Sequence, residues 1–149
     1  MTRRAGHACR TNLETDICVE MERQGLPHEH RSLQFRVYDP RGGSTKYEPA
    51  IVAHRGPILF LVEPVASARS GAVRRLTGFL QQHSPEIVLV LVTTDAAVDE
   101  IPPEGYDEIY GASGVGRLTA RIREQDPDCI VQLFHKPQRG VKRPRDTAK

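Results

Sequence analysis

Residues 46–67, Lys46-Tyr-Glu-Pro-Ala-Ile-Val-Ala-His-Arg-Gly-Pro-Ile-Leu-Phe-Leu-Val-Glu-Pro-Val-Ala-Ser67, read as two adjacent strands joined by a tight turn. Ile51, Val52 and Ala53 form one apolar run, and Ile58 to Val62 form a second. His54-Arg-Gly-Pro57 between them supplies turn chemistry. Short, uninterrupted runs of large and β-branched residues between Gly and Pro favour strands buried on both faces. Glu63 closes the second run, and a buried carboxylate is costly unless it is paired, hydrogen-bonded or bound to a metal. Glu63 therefore either turns to solvent at the strand end or sits in a polar site.

Upstream, Thr11-Asn-Leu-Glu14 opens a helix, with Thr11 or Asn12 as its cap and Glu14 and Asp16 near its positive end. Leu13, Ile17 and Met21, with Cys18 beside them, make one apolar stripe, and Gly25 ends the helix. Leu33, Phe35 and Val37 alternate with polar residues as a half-buried strand does. With the two strands of 46–67, residues 33–65 read as a three-stranded antiparallel meander. Residues 67–83 read as a helix, with Ala72, Val73, Leu76, Phe79 and Leu80 inward. The run Glu86-Ile-Val-Leu-Val-Leu-Val92 follows that helix, which implies a parallel crossover into the middle of the sheet. Residues 108–110 suggest a short strand, 115–123 a helix facing in through Val115, Leu118 and Ile122, and 130–134 an edge strand. The expected fold is α/β, a mixed central sheet with flanking helices.

The chain has 149 residues, enough for one domain with a real core. No apolar run approaches the length of a membrane span, and no apolar stretch follows Arg3 and Arg4 as a secretory signal requires. Cys9, Cys18 and Cys129 form neither a disulfide framework nor a zinc pair, which points to a reducing, intracellular compartment. Cys9 is expected in a mobile arm, with Cys18 and Cys129 in the core. The net charge of +2 is unevenly placed: residues 1–10 carry +3, residues 136–149 carry +5, and the body between carries −6. Three regions follow: a flexible basic arm over 1–10, an α/β domain over 11–135, and a basic, disordered tail over 136–149. Basic ends on an acidic body suit contact with the phosphates of DNA or RNA, or with an acidic partner.

The order of elements, with Glu14 on the first helix and Glu63 at the end of the third strand, resembles the PD-(D/E)XK, or restriction-endonuclease-like, nuclease superfamily. The resemblance covers about residues 11–135 and implies an αβββαβ core. It also implies a site in which a helix Glu, an Asp opening the second strand and a (D/E)-x-K closing the third gather around Mg²⁺. Such a hard ion takes oxygen ligands and activates water against a phosphodiester. Glu14 falls at the helix position and Glu63 at the third-strand position, but Ala50 replaces the Asp and Val65 the Lys. Glu48 shares a strand face with Ala50 and is the substitute ligand; Arg69, Arg74 or Arg75 can stand in for the Lys as a charge but not as a base. The leading expectation is a nuclease-like domain that does not cleave and needs no cofactor. It would contact nucleic acid through Arg69, Arg74, Arg75, Arg139, Lys142, Arg143 and Arg145, or assemble in a nucleic-acid-associated complex. Homodimerisation is expected from the resemblance alone. One alternative is a Mg²⁺-dependent endonuclease using Glu14, Glu48 and Glu63, with Glu48 and Glu63 on the metal; another is a protein–protein interaction module.

Other motifs carry less. Gly111-x-x-Gly114-x-Gly116 precedes a helix but lacks the order of a dinucleotide fingerprint and has no Walker lysine, so it reads as a glycine-rich helix start. His28-Glu-His30 offers two alternating imidazoles with no third ligand nearby in sequence, and no metal site is expected there. Ser67 and Ser70 lack the elbow of a serine hydrolase. Lys142-Arg-Pro-Arg145 would serve as a nuclear-import tag in a nucleated host and as a phosphate-contacting arm in a nucleoid.

Overall fold

The apolar runs over 58–62 and 87–92 lie side by side: β7 (Ile58–Pro64) and β8 (Ile87–Thr93) are parallel, with Phe60 beside Val88 and Val62 beside Val90. This computed structural model describes residues 2–4, 7–39, 41–67, 71–82 and 86–125. Parallel neighbours need a long crossover, and α2 (Gly71–Gln82) lies on it. β6 (Ile51–Arg55) pairs antiparallel with β7 through a two-residue turn. Gly56 takes φ 59° there, the positive value a primed hairpin turn requires. β9 (Glu108–Gly111) adds in parallel beyond β8, and the two-residue β3 (Glu29–His30) pairs antiparallel with β6 at the other edge. The sheet runs β3-β6-β7-β8-β9.

Alternation along the central strands divides the core in two. Phe60, Val62, Val88, Val90 and Val92 face Ile17 and Met21 of α1 (Asn12–Arg23) and Leu118 and Ile122 of α3 (Val115–Arg123). Val52, Leu61, Leu89 and Leu91 face Leu76 and Phe79 of α2. Both faces of β8 are therefore covered, which is why its sequence shows no polar alternation. The expected mixed sheet with flanking helices is observed. Among the described residues no helix is long and apolar enough to cross a membrane.

Two expectations need correction. Residues 33–65 are not one meander. β4 (Phe35–Tyr38) pairs with β5 (Ser44–Tyr47) in a separate hairpin. Asp39 turns the chain back at once: its carboxylate accepts the Arg41 N–H at 2.8 Å and its own N–H donates to the Gly43 carbonyl at 2.7 Å. The hairpin rides on α2, with Phe35 and Tyr47 each 5.0 Å from the Phe79 ring. The segment 1–10, expected as a free arm, contributes the hairpin β1 (Thr2–Arg4) and β2 (His7–Cys9). Cys9 is buried rather than mobile, because β2 lies against α1 and β3. The expected strand over 130–134, the tail over 136–149, Cys129 and Arg69 lie outside the described residues.

Candidate functional site

Glu14 is delivered by the start of α1. Thr11 caps the helix, its hydroxyl accepting the Glu14 N–H at 3.0 Å. The carboxylate is fully buried on the α1 side of the sheet and accepts four hydrogen bonds. Arg31 grips it in two places, Nη2 to Oε1 at 2.6 Å and Nη1 to Oε2 at 2.9 Å. His30 Nδ1 donates to Oε2 at 2.7 Å, and the Arg10 N–H donates to Oε1 at 3.1 Å. A carboxylate has about four lone-pair sites, so this one is saturated. Burial pushes its acidity towards the neutral form. The hydrogen bonds from Arg31, His30 and Arg10, with the Arg31 charge, outweigh that and hold Glu14 below the usual carboxylate range. Arg31 itself takes φ 51°, a left-handed conformation that costs a non-glycine residue roughly 1–2 kcal/mol. The same arginine donates to the Ala8 carbonyl at 3.1 Å and so ties the N-terminal hairpin to the buried pair.

Glu63 ends β7 and, like Leu61 and Val65, belongs to the α2 side. Its Oε1 accepts the Tyr47 hydroxyl and the Ala50 N–H, both at 3.1 Å. Burial raises its pKa to about 7; those two hydrogen bonds and the charges of Arg31 and Arg75 only partly oppose the rise. Tyr47 is raised well above its usual value by burial and then by the Glu63 charge. Arg75 of α2 is the predicted arginine whose charge reaches Glu63 and Tyr47, while Arg74 is exposed. Ala50 and Val65 are buried among apolar neighbours.

Glu48 lies apart from both carboxylates' bonds, accepting from the Gln34 amide at 3.1 Å near the surface. Glu14, Glu48 and Glu63 do not form a shared ligand set. Among the described residues, only Cys9, Cys18 and His30 bring three ligand atoms within 4.8 Å of one another. The Mg²⁺ implied by the resemblance does not fit these residues. Glu14 has no lone pair to offer, Glu63 Oε1 is already taken by the Tyr47 hydroxyl and the Ala50 N–H, and Glu48 is elsewhere.

The outward face of the β4–β5 hairpin is a basic feature that the sequence pattern alone does not single out. Arg36 and Lys46 are direct cross-strand partners and both are exposed. Tyr38, on the same side two residues along, is 61% exposed. Like charges placed opposite each other on a sheet repel, so such a pair favours an anion between them. The alternation of Phe35-Arg-Val-Tyr38 would have revealed this face had Ser44-Thr-Lys-Tyr47 been recognised as its partner strand.

The glycine-rich helix start is filled from within. Asp95 Oδ1 accepts the Ser113 N–H at 3.0 Å and the Ser113 hydroxyl at 3.1 Å. A carboxylate thus occupies the place a phosphate would need. No family model, curated protein or solved structure matches this chain.

Proposed function

We propose that the chain is a nuclease-like domain that has lost cleavage chemistry and binds nucleic acid. The observation that carries the reading is the contact between the Ala50 N–H and Glu63 Oε1. At the two strand positions where the resembling family would seat a metal between two carboxylates, this chain has one carboxylate on a backbone amide. With the separate β4–β5 hairpin set aside as an insertion, and with the two-residue β3 in place of the strand expected over 33–38, the order α1, β3, β6, β7, α2, β8 supports this reading. Ala50 and Val65, where the resembling family has an aspartate and a lysine, can neither hold a hard cation nor position an attacking water.

Binding rests on phosphates. Arg36 and Lys46 on the hairpin and the basic ends of the sequence offer cations, and exposed Tyr38 offers a ring on which a base can stack. The test is fluorescence anisotropy with labelled single-stranded, duplex and branched DNA and RNA over a salt series. The full chain binds at low salt and weakens steeply as salt rises. The double variant Arg36→Ala, Lys46→Ala lowers the slope of log affinity against log salt by about 1–2. Absence of binding to every probe at low salt contradicts the reading.

A further inference from the structure

We infer that Cys9, Cys18, His30 and His28 form a zinc site that locks the N-terminal hairpin to α1 and the edge of the sheet. The four residues come from three separate elements: Cys9 from β2, Cys18 from α1, and the two histidines from β3 and the segment leading into it. Cys9 Sγ, Cys18 Sγ and a ring nitrogen of His30 lie within 4.8 Å of one another. His28 Nε2 stands 3.3 Å from Cys18 Sγ, and its ring centroid is 5.2 Å from that of His30. Zinc bond lengths of about 2.3 Å to sulfur and 2.0 Å to nitrogen place neighbouring tetrahedral ligand atoms roughly 3.3–3.8 Å apart. Cys9, Cys18 and His30 need only small side-chain adjustment to meet that spacing, and His28, already 3.3 Å from Cys18, swings in as the fourth ligand.

The orientation of the histidines argues for a metal rather than mere packing. His28 Nδ1 lies 3.1 Å from the Leu26 carbonyl, which can only accept, so Nδ1 carries the proton and Nε2 faces Cys18. His30 Nδ1 likewise donates to the Glu14 carboxylate at 2.7 Å, which assigns Nε2 to the ion. An imidazole whose outer nitrogen is held by a carboxylate or a backbone carbonyl is the usual arrangement behind a metal ligand. Both cysteines are fully buried and neither is in a disulfide. Two thiols and two neutral imidazoles suit a borderline-soft ion such as Zn²⁺, not Mg²⁺. On binding, the two thiols lose their protons to solvent and the resulting thiolates cancel the charge of the ion.

The experiment uses the full chain, untagged, reduced and stripped with a chelator. Cobalt is titrated in as a spectroscopic stand-in, followed by zinc. A single equivalent of Co²⁺ gives a thiolate-to-cobalt charge-transfer band, zinc abolishes it, and Cys9→Ser and Cys18→Ser each lose it. A second measurement needs no variant. Alkylation of the wild-type protein, read by peptide mass spectrometry, slows at Cys9 and Cys18 on the order of tenfold or more when zinc is present. The site is overturned by absence of the band in reduced protein, by alkylation that zinc leaves unchanged at both cysteines, or by a Cys9–Cys18 disulfide in protein from a reducing cytoplasm.

Discussion

Glu14 and Glu63 occupy equivalent roles in the sequence pattern and opposite chemical situations in the fold. Glu14 leaves α1 on one side of the sheet and meets four donors, among them a guanidinium that holds both oxygens. Glu63 leaves β7 on the other side and meets one hydroxyl and one backbone amide. Glu14 is fully buried and Glu63 partly so. One stays ionised and is pulled below the usual range; the other is lifted to about 7. The comparison teaches that a carboxylate's position in a motif does not determine its charge. Its donors do, and here neither set of donors resembles a cation site.

The largest way to break this contrast is to remove the guanidinium. Arg31→Ala leaves Glu14 buried without its guanidinium, held only by His30 and the Arg10 N–H, which costs about 3 kcal/mol by urea denaturation. The neutral pair Glu14→Gln, Arg31→Met costs less than Arg31→Ala alone, because no buried charge is stranded. If Arg31→Ala changes stability by only a few tenths of a kcal/mol, the pair is not what holds this edge.

Proton linkage makes the two carboxylates pull in opposite directions. Glu14 has its folded pKa below the unfolded value near 4.5, so its contribution is present above that pH and is lost as pH falls through the folded pKa. Glu63 has its folded pKa raised from 4.5 to about 7. Between those values the folded state binds the extra proton, so stability falls as pH rises through this window and is flat above it. The expected loss is about 2 kcal/mol between about pH 5 and about pH 8, discounted from the full shift because Glu63 is only half-buried. Glu63→Gln flattens that slope. A variant that keeps the wild-type slope assigns it to another group.

Smaller changes sharpen the same contrast. Tyr47→Phe removes one of the two donors to Glu63 and costs about 1 kcal/mol at alkaline pH, where the carboxylate is charged, and less at acidic pH. Thr11→Ala strips the cap that places Glu14 and costs about 1 kcal/mol at both, as the thermal midpoint at each pH shows.

Much of the frame was legible because it rests on one-dimensional signals. The β7 and β8 runs are apolar without a break, the α1 stripe repeats at helical spacing, and Thr11 and Gly25 mark the ends of that helix. What stayed hidden depends on pairing between distant segments. Ser44-Thr-Lys-Tyr47 is polar and becomes a strand only because the turn at Asp39 folds it onto Phe35–Tyr38. The N-terminal hairpin is placed by contacts distant in sequence, with β2 against α1 and β3 and Arg31 reaching the Ala8 carbonyl. The saturation of Glu14 required knowing that a left-handed Arg31 turns back upon it. His28 and His30 were visible as alternating imidazoles, yet Cys9 and Cys18 stand too far off in sequence for any short zinc pattern to join them.

In the proposed function, no hard cation is shared between the first helix and the end of β7, and the domain grips nucleic acid without cutting it. The direct measurement incubates the full chain and its Glu63→Ala variant with single-stranded, duplex and branched DNA and RNA, with Mg²⁺ or Mn²⁺, and resolves the products on denaturing gels. Intact substrate in every lane, under conditions where anisotropy shows it bound, is the predicted result. Divalent-dependent cleavage that disappears in Glu63→Ala would contradict the claim.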